Sequence, residues 1–314
     1  MIQNILFIIV SIAIVLWGAD RFTDGASGLA RKLRVSELVI GLTVVALGTS
    51  LPEFIVSLMS VLRGSSDMSA GNIVGSNVFN TLVIVGASAI MMSVKVEGSL
   101  LRRDIPISLV ASLMLFGAAF TGGCIDRWEG LILVLFFLGY LFMTYRVAVS
   151  DRRQNAEEQV VETTPMWKLF GLIVLGITAL VLGGRLLVDN ATDVAKAFHV
   201  SESIIGLTIL AAGTSLPELA TSIVAARKGS DGLALGNAIG SNVFNIAFVL
   251  GICSSIMPMP ISDITLTDWT VLIGSNVLLW VLAFTGRKLS LWEGIILVLG
   301  YLAYLTVIIL GTIN

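Results

Sequence analysis

Apolar residues fall in ten long runs, near positions 3–24, 38–61, 70–92, 105–121, 128–146, 166–189, 203–226, 233–257, 269–285 and 291–311. A run of about 20 such residues spans a bilayer as a helix, so the pattern predicts ten transmembrane segments. The fourth and ninth runs are the shortest. Five runs precede a polar stretch at 148–166 and five follow it. The expected fold is an all-α integral membrane protein: a first five-helix unit (1–147), a linker loop (148–166) and a second five-helix unit (167–314).

The polar residues inside the runs repeat. Gly48-Thr49-Ser50-Leu51-Pro52-Glu53 returns as Gly213-Thr214-Ser215-Leu216-Pro217-Glu218, 165 residues later. Gly71-Asn72, Gly75-Ser76-Asn77-Val78-Phe79-Asn80 returns at the same offset as Gly236-Asn237, Gly240-Ser241-Asn242-Val243-Phe244-Asn245. Val35-Ser36-Glu37 matches Val200-Ser201-Glu202, and Trp128-Glu129-Gly130 matches Trp292-Glu293-Gly294 at offset 164. An odd number of spans per unit makes the two copies enter the membrane from opposite sides. That is an inverted-topology repeat, a construction used by many secondary transporters.

Composition agrees with a membrane chain. Of 314 residues, 56% are hydrophobic and 13% charged, with mean hydropathy +0.96. Soluble domains carry roughly 25% charged residues. A net charge of −2 gives no sign of nucleic-acid binding. Residues 1–19 have the apolarity of a signal peptide but no basic leading region, and are read as a retained first helix. Loops after odd-numbered helices carry fourteen Lys and Arg, from Arg31 and Lys32 to Arg287 and Lys288; the other side carries only Arg63, Arg127 and Lys196. The positive-inside rule makes the basic side cytoplasmic, which places both termini outside the cytoplasm; the expected location is the cell (inner) membrane. Cys124, Cys253 and His199 form no metal or redox spacing.

Ser36 and Ser201 suit helix N-caps, with Glu37 and Glu202 in the first turn. Glu53 and Glu218 stand apart, because each lies well inside an apolar run without a basic residue nearby. An ionised side chain there costs about 2.5–3.5 kcal/mol on insertion scales, so each needs a compensating partner. A bound cation provides one; a protonated carboxyl or an interhelical hydrogen bond is the alternative. Pro52 and Pro217 remove a helical hydrogen bond and clash with the carbonyls of Gly48 and Gly213, predicting unwinding near Thr49 and Thr214. Carbonyls freed at membrane depth are tolerated where they line a polar cavity, and there they can bind a cation.

Asn72, Ser76 and Asn80 recur every fourth residue on one helix face, as do Asn237, Ser241 and Asn245. Interhelical hydrogen bonding and ion contact both suit such a stripe. Two glutamates balance one Ca²⁺, whose six to eight oxygen ligands carbonyls can complete. The same oxygens, with the hydroxyls of Ser50, Ser76, Ser215 and Ser241, suit Na⁺. The motifs contain no His or Cys, which disfavours zinc or copper. The residues alone lead to a cation site where the two repeats meet.

At these positions the sequence closely resembles the sodium/calcium exchangers of the cation/calcium exchanger superfamily. The resemblance implies that Glu53 and Glu218 are shared Ca²⁺/Na⁺ ligands, with backbone oxygens of Thr49 and Thr214. It implies further Na⁺ positions at Ala46, Ser50, Ser76, Ala211, Ser215 and Ser241, with Asn80 and Asn245 flanking the centre, and alternating access by sliding of the first and sixth helices. Asp24 and Asp189, near the ends of those helices, are expected at the surface. Potassium-dependent relatives tend to carry aspartate where this chain has Asn245, which favours K⁺-independent exchange; a proton-coupled exchanger is the runner-up. The implied partners are Ca²⁺, Na⁺ and the lipid bilayer, with no cofactor, no nucleic acid and no protein partner. A cation channel is the competing reading from another class; an intramembrane enzyme would need an unusual base for Ser50 or Ser215.

Overall fold

The computed structural model describes residues 2–63, 66–120, 122–154, 162–198, 211–261 and 264–313. Helix α1 (Ile2–Leu33) leads into α2 (Glu37–Thr49), which is π-helical over Gly41–Val45, and then into α3 (Leu51–Leu62). Helix α4 runs from Ser66–Phe79 through a π-helical stretch at Asn80–Ile84 into Val85–Met91. Helix α5 is Ile105–Phe120, preceded by a π-helical turn at Leu100–Asp104, and α6 is Arg127–Gln154. The second half holds α7 (Met166–Ala197), α8 (Ala211–Thr214), α9 (Leu216–Arg227), α10 (Asp231–Ile256), α11 (Leu266–Gly286) and α12 (Leu291–Ile313).

Among the described residues, seven helices are long and apolar enough to cross a membrane, and eight if α2 and α3 form one bent span. Two expected spans fall outside that number. Helix α5 has 16 residues. The expected span at 203–226 begins outside the described residues, which resume at Ala211. His199, Ser201 and Glu202 lie outside them too, as do residues 155–161 of the 148–166 linker.

Burial separates centre from rim. In both α4 and α10, 78% of the apolar window is buried; for the other long helices the share is 17–33%. The two most buried helices are also the ones carrying the Asn/Ser stripes. Around them, apolar side chains such as Leu135, Val174 and Leu302 face outward, as lipid contact requires. Exposed Trp128, Trp167 and Trp292 lie at helix ends, positions favoured at membrane interfaces.

Helices α1 and α7 pack along their length. Small residues bring the backbones together: a Cβ on Gly18 would lie 2.8 Å from Ala179 Cβ, and one on Gly176 would lie 2.6 Å from Phe22 Cβ. Four two-residue strands, β1 (Val94–Lys95), β2 (Cys124–Ile125), β3 (Met259–Pro260) and β4 (Lys288–Leu289), pair antiparallel as β1 with β4 and β2 with β3. Each pair joins one half of the chain to the other.

Candidate cation site

The chain breaks between α2 and α3 at Ser50 (φ −83°, ψ 7°), where the two helices bend by 45°. Between α8 and α9 it breaks at Ser215 (φ −91°, ψ 8°). The sequence predicts unwinding near Thr49 and Thr214; both residues end the preceding helix, and the break lies one residue on. Proline explains the shift. Its fixed φ and missing N–H fit the first turn of a helix, so Pro52 and Pro217 each start a new one and the serine before them becomes its cap position.

Restarting the helix changes the setting of the acids. Glu53 and Glu218 are in the first turns of α3 and α9, at the positive ends of two helices. Both are fully buried. Each carboxylate accepts a hydrogen bond from the serine of the opposite motif: Ser50 Oγ donates to Glu218 Oε1 (2.8 Å), and Ser215 Oγ donates to Glu53 Oε1 (3.1 Å). These two crossing bonds gather both broken helices into one polar centre. The remaining carboxylate oxygens, Glu53 Oε2 and Glu218 Oε2, are buried without a hydrogen-bond partner.

A clamp holds the end of α2. Asn237 Nδ2 donates to the Glu218 backbone carbonyl (3.2 Å) and to Ser222 Oγ (3.0 Å), which orients Asn237 Oδ1 to accept from Thr49 Oγ1 (2.9 Å). Close packing supports it. A Cβ on Gly236 would lie 2.9 Å from the Leu38 carbonyl oxygen, and one on Gly240 would lie 2.8 Å from Leu42 Cα. Sequence reasoning grouped Asn237 with the stripe but overlooked Ser222, although Ser57 and Ser222 share the 165-residue offset and lie one turn beyond each glutamate.

Other expected site residues supply unused oxygens. Ser76 Oγ, Ser241 Oγ, Asn80 Oδ1, Asn245 Oδ1 and Thr214 Oγ1 are buried without hydrogen-bond partners. Ala46 is buried, and its carbonyl accepts the Ser50 N–H (3.1 Å). Ala211 opens α8, and its side chain lies outside the description. Among the described residues no group of three or more His, Cys, Asp or Glu is placed to hold a metal. The centre therefore combines two carboxylates with neutral oxygens, a donor set for a hard cation rather than a soft one. At the surface, Asp24 accepts from Lys228 Nζ (2.7 Å), which also lies 2.6 Å from Asp20.

The chain as a whole is similar to known proteins. The family model described as sodium/calcium exchanger protein matches residues 3–146 and 168–310. The sodium/calcium exchanger MaX1 of Methanosarcina acetivorans is 32% identical, over 97% of this chain and 98% of its own. The inner membrane protein YrbG of Escherichia coli is 35% identical, over 96% of this chain and 95% of its own. The solved structure of the sodium-calcium exchanger NCX_Mj, soaked with Na⁺ and Sr²⁺, superposes with a TM-score of 0.83 at 31% identity, covering 98% of each chain.

Proposed function

The chain belongs to the sodium/calcium exchanger protein family, and on that premise we propose that it is a secondary antiporter driving Ca²⁺ across the membrane against Na⁺ by alternating access. The observation that carries this reading is the crossed pair Ser50–Glu218 and Ser215–Glu53. It joins two buried carboxylates that, among the described residues, no basic side chain neutralises, so a cation is their natural counter-charge. Two carboxylates match one Ca²⁺, or two Na⁺ at overlapping positions. Because Ca²⁺ and Na⁺ need the same oxygens, occupation by one excludes the other, and that exclusion is a physical basis for exchange.

In this reading Glu53 and Glu218 are the shared ligands, joined by carbonyl oxygens of Thr49 and Thr214. Ala46, Ser50, Ser76, Ala211, Ser215 and Ser241 supply the Na⁺ positions to either side, and Asn80 and Asn245 supply amide oxygens at the centre. The unpartnered buried oxygens of Glu53, Glu218, Ser76, Ser241, Asn80 and Asn245 support it, since an unmet buried acceptor is costly unless a ligand completes it. Asn245 adds no third carboxylate, which favours K⁺-independent exchange. The architecture that goes with it is ten helices as two inverted five-helix repeats, 1–147 and 167–314, with both termini outside and the protein in the inner membrane. The strand pairs support the inversion: β1 and β3 are 165 residues apart, and each pairs with a strand of the other half. Sliding of α1 and α7 would supply the movement, their glycine contacts permitting close passage.

Proteoliposomes loaded with Na⁺ and diluted into Na⁺-free medium test the proposal. Ca²⁺ uptake should rise with the Na⁺ gradient and be insensitive to K⁺. Uptake driven by a pH gradient alone would point to proton coupling, and flux without a counter-ion to a channel.

A further inference from the structure

Behind the proposed ligands lies a second set of amides with no assigned role. Asn77 and Asn242 precede Asn80 and Asn245 by three residues and are buried where α4 meets α10. Asn77 Nδ2 donates to the backbone carbonyl of Asn242 (3.0 Å). A carbonyl only accepts, so this bond fixes which way the Asn77 amide faces and turns its Oδ1 to the other side. There Oδ1 accepts from Asn245 Nδ2 (3.2 Å). The Asn245 amide is fixed in turn: its nitrogen is engaged, and its oxygen is left buried and unpartnered on the helix face it shares with Ser241.

The same logic on the other side gives a different outcome. Thr81 Oγ1 donates to the Asn77 carbonyl (2.9 Å), so it can only accept from Asn242 Nδ2 (2.8 Å). Asn242 is thereby turned, but its Oδ1 has no partner, and neither amide atom of Asn80 has one. Asn80 is therefore not held in one orientation, whereas Asn245 is. The asymmetry originates at Thr81, whose counterpart at the 165-residue offset is Ile246, a side chain without a hydroxyl.

We propose that Asn77 is a positioning residue for the exchange reaction: it holds Asn245 by its nitrogen and so reserves the Asn245 amide oxygen for a bound cation. This rests on the reading of Asn245 as a cation-site residue. With Asn77 in place, Asn245 cannot turn its positive N–H edge toward Na⁺. Without it, the amide is free to flip, and part of the population presents a donor where an acceptor is needed.

A double-mutant cycle in proteoliposomes tests this, reading the Na⁺ concentration that half-inhibits Ca²⁺ uptake. Loss of one neutral hydrogen bond predicts that Asn77→Ala raises that concentration roughly 2- to 10-fold. In an Asn245→Ala background the same change should have no further effect, because Asn77 acts through Asn245. Thr81→Val, which perturbs the same network without touching Asn245, should shift it less than about 2-fold. Equal effects of Asn77→Ala in both backgrounds, or equal effects of Asn77→Ala and Thr81→Val, would overturn the proposal. Asn77→Ser, whose hydroxyl is too short to reach Asn245, should reproduce the loss if the alanine variant does not fold. The wild-type arm separates the two layers: absence of Na⁺-dependent uptake there counts against the function, and additivity counts against Asn77 alone.

Discussion

Replacing Glu53 with glutamine keeps the side-chain shape and removes one charge from the centre. Three quantities set the effect on the empty protein. An ionised group deep in the membrane costs about 2.5–3.5 kcal/mol, and neutralisation recovers that cost. Against it, the bond from Ser215 loses its charge assistance, worth about 1 kcal/mol, and the interaction with the positive end of α3 is lost, worth about 0.3–1 kcal/mol. The net change stabilises the empty protein by at least about 1 kcal/mol, and relief of the repulsion from Glu218 adds in the same direction. With cation the sign reverses. At a Ca²⁺ concentration of 100 times its dissociation constant, the wild type gains about 2.7 kcal/mol, whereas Glu53→Gln, with half the site charge, gains almost none. Thermal unfolding in detergent, followed by tryptophan fluorescence with and without Ca²⁺, reads both effects. A variant that retains the Ca²⁺-dependent rise, or that is clearly less stable when empty, would refute the reasoning. Transport by Glu53→Gln and by Glu218→Gln should be abolished.

Gly240→Ala should destabilise the protein by about 1–3 kcal/mol, because its Cβ would lie 2.8 Å from Leu42 Cα and 2.9 Å from Ala46 Cβ; chemical unfolding measures this. Asn245→Asp adds a third carboxylate and removes the donor to Asn77 Oδ1, so Ca²⁺ uptake should become sensitive to K⁺ or pH where the wild type is not. At the linker, the Thr164 hydroxyl and backbone N–H, with Arg31 at 3.0 Å, hold the Glu162 carboxyl down at about 2. A folded value below the ordinary 4.5 stabilises above that pH, and the contribution is lost as pH falls through about 2; Glu162→Gln should flatten this part of a stability–pH curve without altering transport at neutral pH.

The all-helical, membrane-spanning character was legible because long apolar runs are a property of the linear chain. The acids and prolines were legible for the same reason, since each violates the apolar pattern around it. The setting of the acids was not. Reading Glu53 as mid-segment missed that Pro52 restarts the helix and places the carboxylate at a helix N-terminus. The crossing bonds join residues 168 and 162 positions apart, and no local signal announces such a pair. The amide network was hidden for another reason. Asn77 and Asn242 lie in the repeated motif, but their role depends on which atom faces which carbonyl, and that appears only once α4 and α10 are packed together.

The proposed exchange rests on one pair of carboxylates serving Na⁺ and Ca²⁺ in turn. Ca²⁺ uptake into Na⁺-loaded proteoliposomes tests it most directly, measured for the wild type and Glu218→Gln across a range of internal Na⁺. Wild-type uptake should rise with internal Na⁺ and be suppressed by external Na⁺, and uptake should be lost in the variant. Uptake independent of the Na⁺ gradient, or a fully active Glu218→Gln variant, would contradict it.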